Sequence, residues 1–385
     1  MIPYGRQNIS EADIDAVVSV LRSDYLTQGP VVPEFEKSIC EYTGASHAVA
    51  VNSGTSALHI ACLSLGLGKG DWLWTSTISF VASANCGLYC GSSVDFIDID
   101  PVTWNIDIKQ LEAKLIAAKK INKLPKVLVV VHLSGLLCDM EEIHRLSKHY
   151  GFYVIEDACH AIGGRYKESQ VGSCIYSNIT VFSFHPVKNI TTGEGGMAIT
   201  NDDSLAGKMT ILRSHGITKD EDLMIHKSDG PWYYQQIDLG FNYRMTDIQA
   251  ALGISQLLHL EDNIKKRHEI SRFYSNAFSN LPLQLPHKYS NQYSGAHLYI
   301  IRIKKSHINR TRKEVFQLLL DSGIGVNIHY IPIHTQPYYQ NLGFAFGDFP
   351  EAELYYEEAI SLPIFPGLSK IDQSVVVSAV VKAVQ

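Results

Sequence analysis

The chain has 385 residues, 45% of them hydrophobic and 19% charged, and its formal net charge is −6. That length exceeds what one core usually fills and predicts a large and a smaller unit. No block of like charges and no apolar run of about 18 residues occurs, which excludes a nucleic-acid patch and a membrane span as expectations. Met1-Ile-Pro-Tyr-Gly-Arg6 carries no basic region followed by an apolar core, so no signal peptide is expected. The seven cysteines are irregularly spaced without a Cys-x-x-Cys, a pattern that favours reduced thiols and a cytoplasmic location. Cys62, Cys86 and Cys138 are expected in or near cores.

Along the chain, residues 1–10 read as extended. Ile14, Val17, Val18 and Leu21 recur at helical spacing over 11–21. A turn-like stretch covers 24–30, and 32–42 reads as a helix ended by Gly44. Strand-like 48–51 is followed by helix-like 56–65, closed by Gly66 and Gly68. Further strands are predicted over 72–76, 94–97, 127–131, 153–155 and 179–184, with helices over 108–119 and 140–150. Strands apolar on both faces and alternating with helices predict an α/β fold with a mostly parallel, covered sheet. From 246 to about 281 the chain is helix-prone with no proline. Strand-like 298–303, helix-like 312–321, the segment 328–334 and helix-like 350–359 follow. The predicted division is a large α/β domain over 1–250, with segment 1–11 near the active site, and a small C-terminal α+β domain over 251–385.

Lys188 lies between the apolar run ending at Phe184 and the glycine-rich return to Gly196. Phe182, Phe184 and Val187 flank it and could desolvate its amine, as a Schiff-base nucleophile requires. Asp157 closes a strand 31 residues upstream. A lysine and a carboxylate so placed suit pyridoxal phosphate: one forms the imine, the other pairs with the pyridine nitrogen. Asp157 also fits an ordinary helix N-cap. His160 could touch the ring hydroxyl. Val51-Asn-Ser-Gly-Thr-Ser-Ala57 joins a strand to a helix, and free amides at a helix start bind phosphate; Ser183 is a natural second contact. Phe80 could stack on the ring or pack in a core. Asp98-Ile-Asp100 fits a turn better than a metal site, and His268-Glu269 and the pair His329 and His334 lack the pattern of a zinc site.

The motifs Leu26-Thr-Gln-Gly29, Asn52-Ser-Gly-Thr-Ser-Ala57, Glu156-Asp-Ala-Cys-His160, Ser183-Phe-His-Pro-Val-Lys188, Thr191-Thr-Gly-Glu-Gly-Gly196, Arg213-Ser-His-Gly216 and Gly240-Phe-Asn-Tyr-Arg-Met-Thr-Asp247 occur in this order over nearly the whole chain. Together they resemble the DegT/DnrJ/EryC1/StrS family of sugar aminotransferases, fold-type I pyridoxal-phosphate enzymes. The run from Ser183 to Gly196 looks most like its pseudaminic-acid branch. Those enzymes move the amino group of L-glutamate to C4 of a UDP-linked 2-acetamido-2,6-dideoxy-4-hexulose.

The resemblance implies a seven-stranded, mainly parallel sheet sandwiched by helices. It implies that Lys188 forms the Schiff base, Asp157 faces the pyridine nitrogen and His160 the ring oxygen. Gly54, Thr55, Ser56 and Ser183 would surround the phosphate, and Phe80 would cover the ring. Asn242 would reach the phosphate of a neighbouring subunit, making a homodimer with shared active sites. Tyr4, Asp24, Tyr25, Leu26, Thr27, His329, Tyr330, Ile331 and Pro332 match segments that contact the sugar nucleotide. The chain departs from the family pattern at Trp72-Leu-Trp-Thr-Ser-Thr-Ile78 and at Asn189. Other readings are an aminotransferase for another nucleotide-linked 4-keto or 3-keto deoxysugar, of the perosamine or 4-amino-arabinose type; a sugar dehydratase, which Lys188 opposes because that branch carries histidine there; and a non-catalytic regulator or scaffold.

Overall fold

The computed structural model describes residues 1–304 and 307–385. The strands His47–Val51 (β1), Trp72–Ser76 (β2), Ser93–Ile97 (β3), Val127–Val131 (β4), Tyr153–Asp157 (β5), Ile179–Ser183 (β6) and Gly196–Thr200 (β7) form one seven-stranded sheet in the order β1-β7-β6-β5-β4-β2-β3. β7 runs antiparallel to both neighbours, and the other pairings are parallel. Alternation along each strand fills two cores. Trp74, Leu128, Val130, Val154 and Phe182 pack on one face, and Leu73, Val129, Ile155 and Val181 on the other. Both faces are therefore covered, as parallel sheets require.

The sequence pattern locates β1 to β6 to within two residues, but not β7. Its Gly-Met-Ala-Ile-Thr run is short and opens on a glycine that weakens strand character. The glycine is sterically required there: a Cβ at Gly196 would lie 2.3 Å from the Ser53 carbonyl oxygen. The helix Ala82–Tyr89 also escapes the pattern, because its small residues show no 3.6-residue apolar period.

The segment expected as one helix over 246–281 is two, Asp247–Leu257 and Leu260–Ala277. The first opens with a capping box between Thr246 and Gln249. The second helix serves two cores. Leu260 and Ile264 enter the large core, while Ile270 and Tyr274 enter another. That second core lies on the antiparallel sheet of Leu283–Gln284 (β8), Tyr299–Ile303 (β9) and Ala359–Leu362 (β10). The helices Arg312–Asp321 and Lys370–Val384 cover it with Val315, Leu319, Val376 and Val380.

Asp98 resolves as a structural residue. It is 2% exposed, and its two carboxylate oxygens accept the Glu351 and Ala352 amides at 2.9 Å each. It thus caps the helix Pro350–Glu358 from another part of the chain. Asp100 accepts the Val102 and Thr103 amides of the following turn. Asp98→Ala strands two orphan helix donors and is expected to destabilise the fold by about 1–2 kcal/mol, read as a lower urea midpoint at unchanged m-value.

Candidate active site

The C-terminal edge of the parallel strands opens into a cavity of about 900 Å³. This edge is where open α/β sheets bind ligands, because loops diverge there and helix N-termini point inward. β5 delivers Asp157, β6 delivers Ser183, and the turn after β1 delivers Asn52 to Ser56. Lys188 follows β6 in a loop held by hydrogen bonds. Its amide donates to the His185 carbonyl at 2.9 Å, and the Asn189 amide group donates to Gly295 at 2.8 Å and Ile162 at 3.1 Å. Asn189 is buried, and neither it nor any residue from Trp72 to Ile78 is part of the cavity lining. The departures from the family pattern therefore serve packing.

The phosphate-type cradle forms at the start of the helix Gly54–Ser64. Ser53 caps it, accepting the Ser56 amide at 3.1 Å, and Ser56 donates to the Asn52 side chain at 2.7 Å. A Cβ at Gly54 would sit 2.9 Å from Ser183 Cβ and 3.4 Å from Cys159 Sγ. Glycine thus lets the helix end meet β6 closely, with the Gly54 and Thr55 backbone beside the Ser183 hydroxyl.

Asp157 is 7% exposed. Its Oδ2 accepts the Ser83 hydroxyl at 2.6 Å and its Oδ1 accepts the Cys159 amide at 3.3 Å. Neighbouring Glu156 points to the other face, bonded to His132 at 2.9 Å and Ser177 at 2.5 Å. Burial lowers the Lys188 amine below its ordinary range, and the Cys159 and Asp157 side chains oppose that shift. Burial and Asp157 push the Cys159 thiol up, so it stays protonated and is a poor nucleophile.

His160 Nε2 hydrogen-bonds the Tyr330 hydroxyl at 3.0 Å, and its buried Nδ1 has no partner among the described residues. Its ring lies 4.6 Å from that of His297. His329 is tied through Nδ1 to Ser361 Oγ at 2.7 Å and lies 5.5 Å from the Tyr4 ring. Tyr4 arrives because the N-terminal segment is stitched to the second core through Ile2–Gly323, Gly325–Ile2 and Ile364–Tyr4 backbone bonds. Phe80 is 58% exposed with its ring 6.2 Å from Tyr330, so it is a wall of the cavity and not a core residue.

Burial and the positive charge of Lys188 push His160 well below its ordinary range and His329 to about 4; burial and His160 do the same to His297. The unfolded chain binds these protons near pH 6.5 and the native state does not, so stability falls as pH drops from about 6.5 toward 4. For His329 alone the linked loss is roughly 3 kcal/mol at full extent. The urea midpoint is expected to be lower at pH 5 than at pH 7, with a shallower pH slope in His329→Gln.

Of the residues singled out from sequence, the cavity gathers Tyr4, Gly54, Thr55, Ser56, Phe80, Asp157, His160, Ser183, Lys188, His329 and Tyr330. Asn242, Ile331, Pro332 and Asp24 to Thr27 lie off its lining. Asn242 bridges to Ser214, and Thr27 to Thr246. Sequence reasoning missed Ser79, Ser83, Glu194, Gln249, His297 and Asn327. Only Ser79, beside Phe80, and Ser83, in the first turn of the helix that follows, carried a local signal.

A buried imidazole nitrogen without a partner, a glycine-lined cradle for an anion, and a hydrogen-bonded carboxylate beside an amine of lowered basicity together fit pyridoxal phosphate. Comparison with known proteins agrees. Residues 7–381 match the DegT/DnrJ/EryC1/StrS aminotransferase family. The spore coat polysaccharide biosynthesis protein SpsC of Bacillus subtilis is 39% identical, covering 98% of this chain and 96% of that protein. The UDP-4-amino-4,6-dideoxy-N-acetyl-beta-L-altrosamine transaminase of Campylobacter jejuni is 40% identical over 94% of this chain and 92% of its own. The structure of Helicobacter pylori PseC, an aminotransferase of pseudaminic acid biosynthesis, superposes with a TM-score of 0.91 at 33% identity, covering 100% of this chain and 99% of that one. The chain belongs to the DegT/DnrJ/EryC1/StrS aminotransferase family and is a pyridoxal-phosphate-dependent sugar aminotransferase of fold-type I.

Proposed function

We propose that this aminotransferase moves the amino group of L-glutamate to C4 of a UDP-linked 2-acetamido-2,6-dideoxy-4-hexulose, giving UDP-4-amino-4,6-dideoxy-N-acetyl-L-altrosamine for pseudaminic acid synthesis. The observation that carries the chemistry is the presence of Lys188, Asp157 and the Gly54–Ser183 cradle in one cavity. The choice of sugar is supported by the Campylobacter and Helicobacter relatives.

Pyridoxal phosphate, when bound, supplies an electron sink for the carbanion formed at the amino-acid Cα. Gly54, Thr55, Ser56 and Ser183 would hold its phosphate. Asp157 would keep a proton on the pyridine nitrogen, which would make the ring a stronger acceptor. Phe80 would cover one face of the ring, and His160, hydrogen-bonded to Tyr330, would offer its other nitrogen to the ring oxygen. Lys188 is the covalent anchor. With the donor amino acid in place, its amine would be free to take the proton from the donor's Cα and return it to the cofactor carbon beyond the donor nitrogen, acting as base and then acid. A lowered amine basicity suits that double duty. 2-Oxoglutarate leaves before the keto sugar enters, so ping-pong kinetics are expected. Tyr4, His329 and Tyr330 line the cavity where the sugar nucleotide would sit, whereas Asp24 to Thr27, Ile331 and Pro332, which match sugar-nucleotide segments of the family, lie off that lining.

The working unit in this reading is a cytoplasmic homodimer in which Asn242 completes the phosphate site of the adjoining subunit. Two observations support it. Asn242 does not line its own chain's cavity. The preceding segment exposes Ile225 (74%), Trp232 (72%) and Leu239 (75%), more apolar surface than a free loop usually presents. No helix among the described residues is long and apolar enough to cross a membrane.

The equally similar spore-coat relative favours a second reading, in which another nucleotide-linked keto deoxysugar is the acceptor. Mass spectrometry of products from a panel of 4-keto and 3-keto sugar nucleotides with glutamate decides between them. Amination of only the UDP-linked 2-acetamido-4-hexulose supports the first reading, and preference for a different sugar overturns it.

A further inference from the structure

We propose that Ser83 is a positioning residue for the reaction: it holds the Asp157 carboxylate in register with the ring nitrogen, backed by Ser79. This rests on the reading that Asp157 faces that nitrogen. Ser83 sits in the first turn of the helix Ala82–Tyr89 and is fully buried. Its Oγ lies 2.6 Å from Asp157 Oδ2 and 2.6 Å from Ser79 Oγ.

The proton order in this chain is fixed by chemistry. A carboxylate only accepts, and a serine hydroxyl has one proton to give. Ser83 therefore donates to Asp157 and accepts from Ser79, so the line runs from Ser79 through Ser83 to the carboxylate. A hydroxyl already engaged as acceptor is a better donor, which strengthens the contact to Asp157. The other carboxylate oxygen accepts the longer 3.3 Å contact from the Cys159 amide. Ser83 thus fixes one oxygen and leaves the second as the freer one. A charged ligand group aimed this way needs a supporting partner to hold its rotamer, and Ser83 is the short contact available.

Nothing in the packing demands a hydroxyl at this position. Alanine would fill the site but leave Asp157 Oδ2 without its donor. A cap for its own helix is the ordinary role of a first-turn serine, yet here the side chain bonds a residue 74 positions away on β5.

The test compares two cofactors on the full-length protein: pyridoxal phosphate and its 1-deaza analogue, in which C–H replaces the ring nitrogen. Dissociation constants are measured for wild type, Ser83→Ala, Ser83→Cys and Ser83→Thr by fluorescence titration. Ser83→Ala is expected to weaken pyridoxal phosphate by about tenfold, the effect of losing one charge-assisted hydrogen bond, and the analogue by less than about twofold. Ser83→Cys, a weak donor of similar size, is expected to show the same selectivity at smaller amplitude, and Ser83→Thr to restore binding to within about threefold. Equal weakening of both cofactors in the Ala and Cys variants, or no weakening of either, overturns the role of Ser83. Failure of the wild-type protein to take up pyridoxal phosphate would instead strike the cofactor reading on which the inference stands.

Discussion

Replacing Lys188 with arginine is expected to abolish amino transfer, with at least about a 10⁴-fold loss in kcat, the scale seen when a group that is both nucleophile and proton carrier is removed. The argument is one of protonation. Lys188 is half-buried, and burial lowers its amine basicity. Arginine cannot lose its proton at any working pH, so it can neither form the imine nor accept the Cα proton. The fold should tolerate the change, because the side chain enters a cavity of about 900 Å³ and not a packed core. An unchanged urea midpoint and far-UV circular dichroism would show that chemistry alone is lost. Turnover within tenfold of wild type would remove Lys188 from the mechanism.

The second large effect is expected at Asp157. Asp157→Asn keeps size and rotamer but not the charge that holds a proton on the ring nitrogen. Each unit by which that nitrogen loses basicity is about 1.4 kcal/mol of lost stabilisation. A drop of about 10²–10³-fold in the glutamate half-reaction is expected, comparable to removing one preorganised electrostatic group. The cradle at Gly54 and Ser183 is untouched, so the cofactor should still bind, though more weakly. Single-turnover bleaching of the cofactor absorbance by glutamate, without sugar, measures this directly. A rate within threefold of wild type would mean that Asp157 serves only as a cap.

Much of this site was legible in the linear sequence because it is built from strand ends. Asp157, Ser183 and Lys188 follow apolar runs whose ends could be read from composition, and Gly54 lies in a strand-to-helix turn of recognisable type. What stayed hidden was contact across the fold. The Tyr330 hydroxyl meets His160 over 170 residues, and Ser83 meets Asp157 over 74. Neither pairing leaves a periodicity to read. Phe80 was ambiguous for a different reason: an aromatic after a strand looks the same whether it packs inward or walls a cavity, and only its 58% exposure separates the two. The break near Leu258 was invisible because no glycine or proline marks it, and the apolar residues on either side, Ile254, Leu257 and Leu260, pack on the same core.

The most direct measurement is chemical trapping of the bond between the protein and its cofactor. Holoenzyme reduced with borohydride, digested and analysed by mass spectrometry should carry a phosphopyridoxyl group on the Lys188 side chain and on no other. Prior exposure to excess glutamate should erase the label, and keto sugar should restore it. An unmodified Lys188, or a label on a different lysine, would contradict the account.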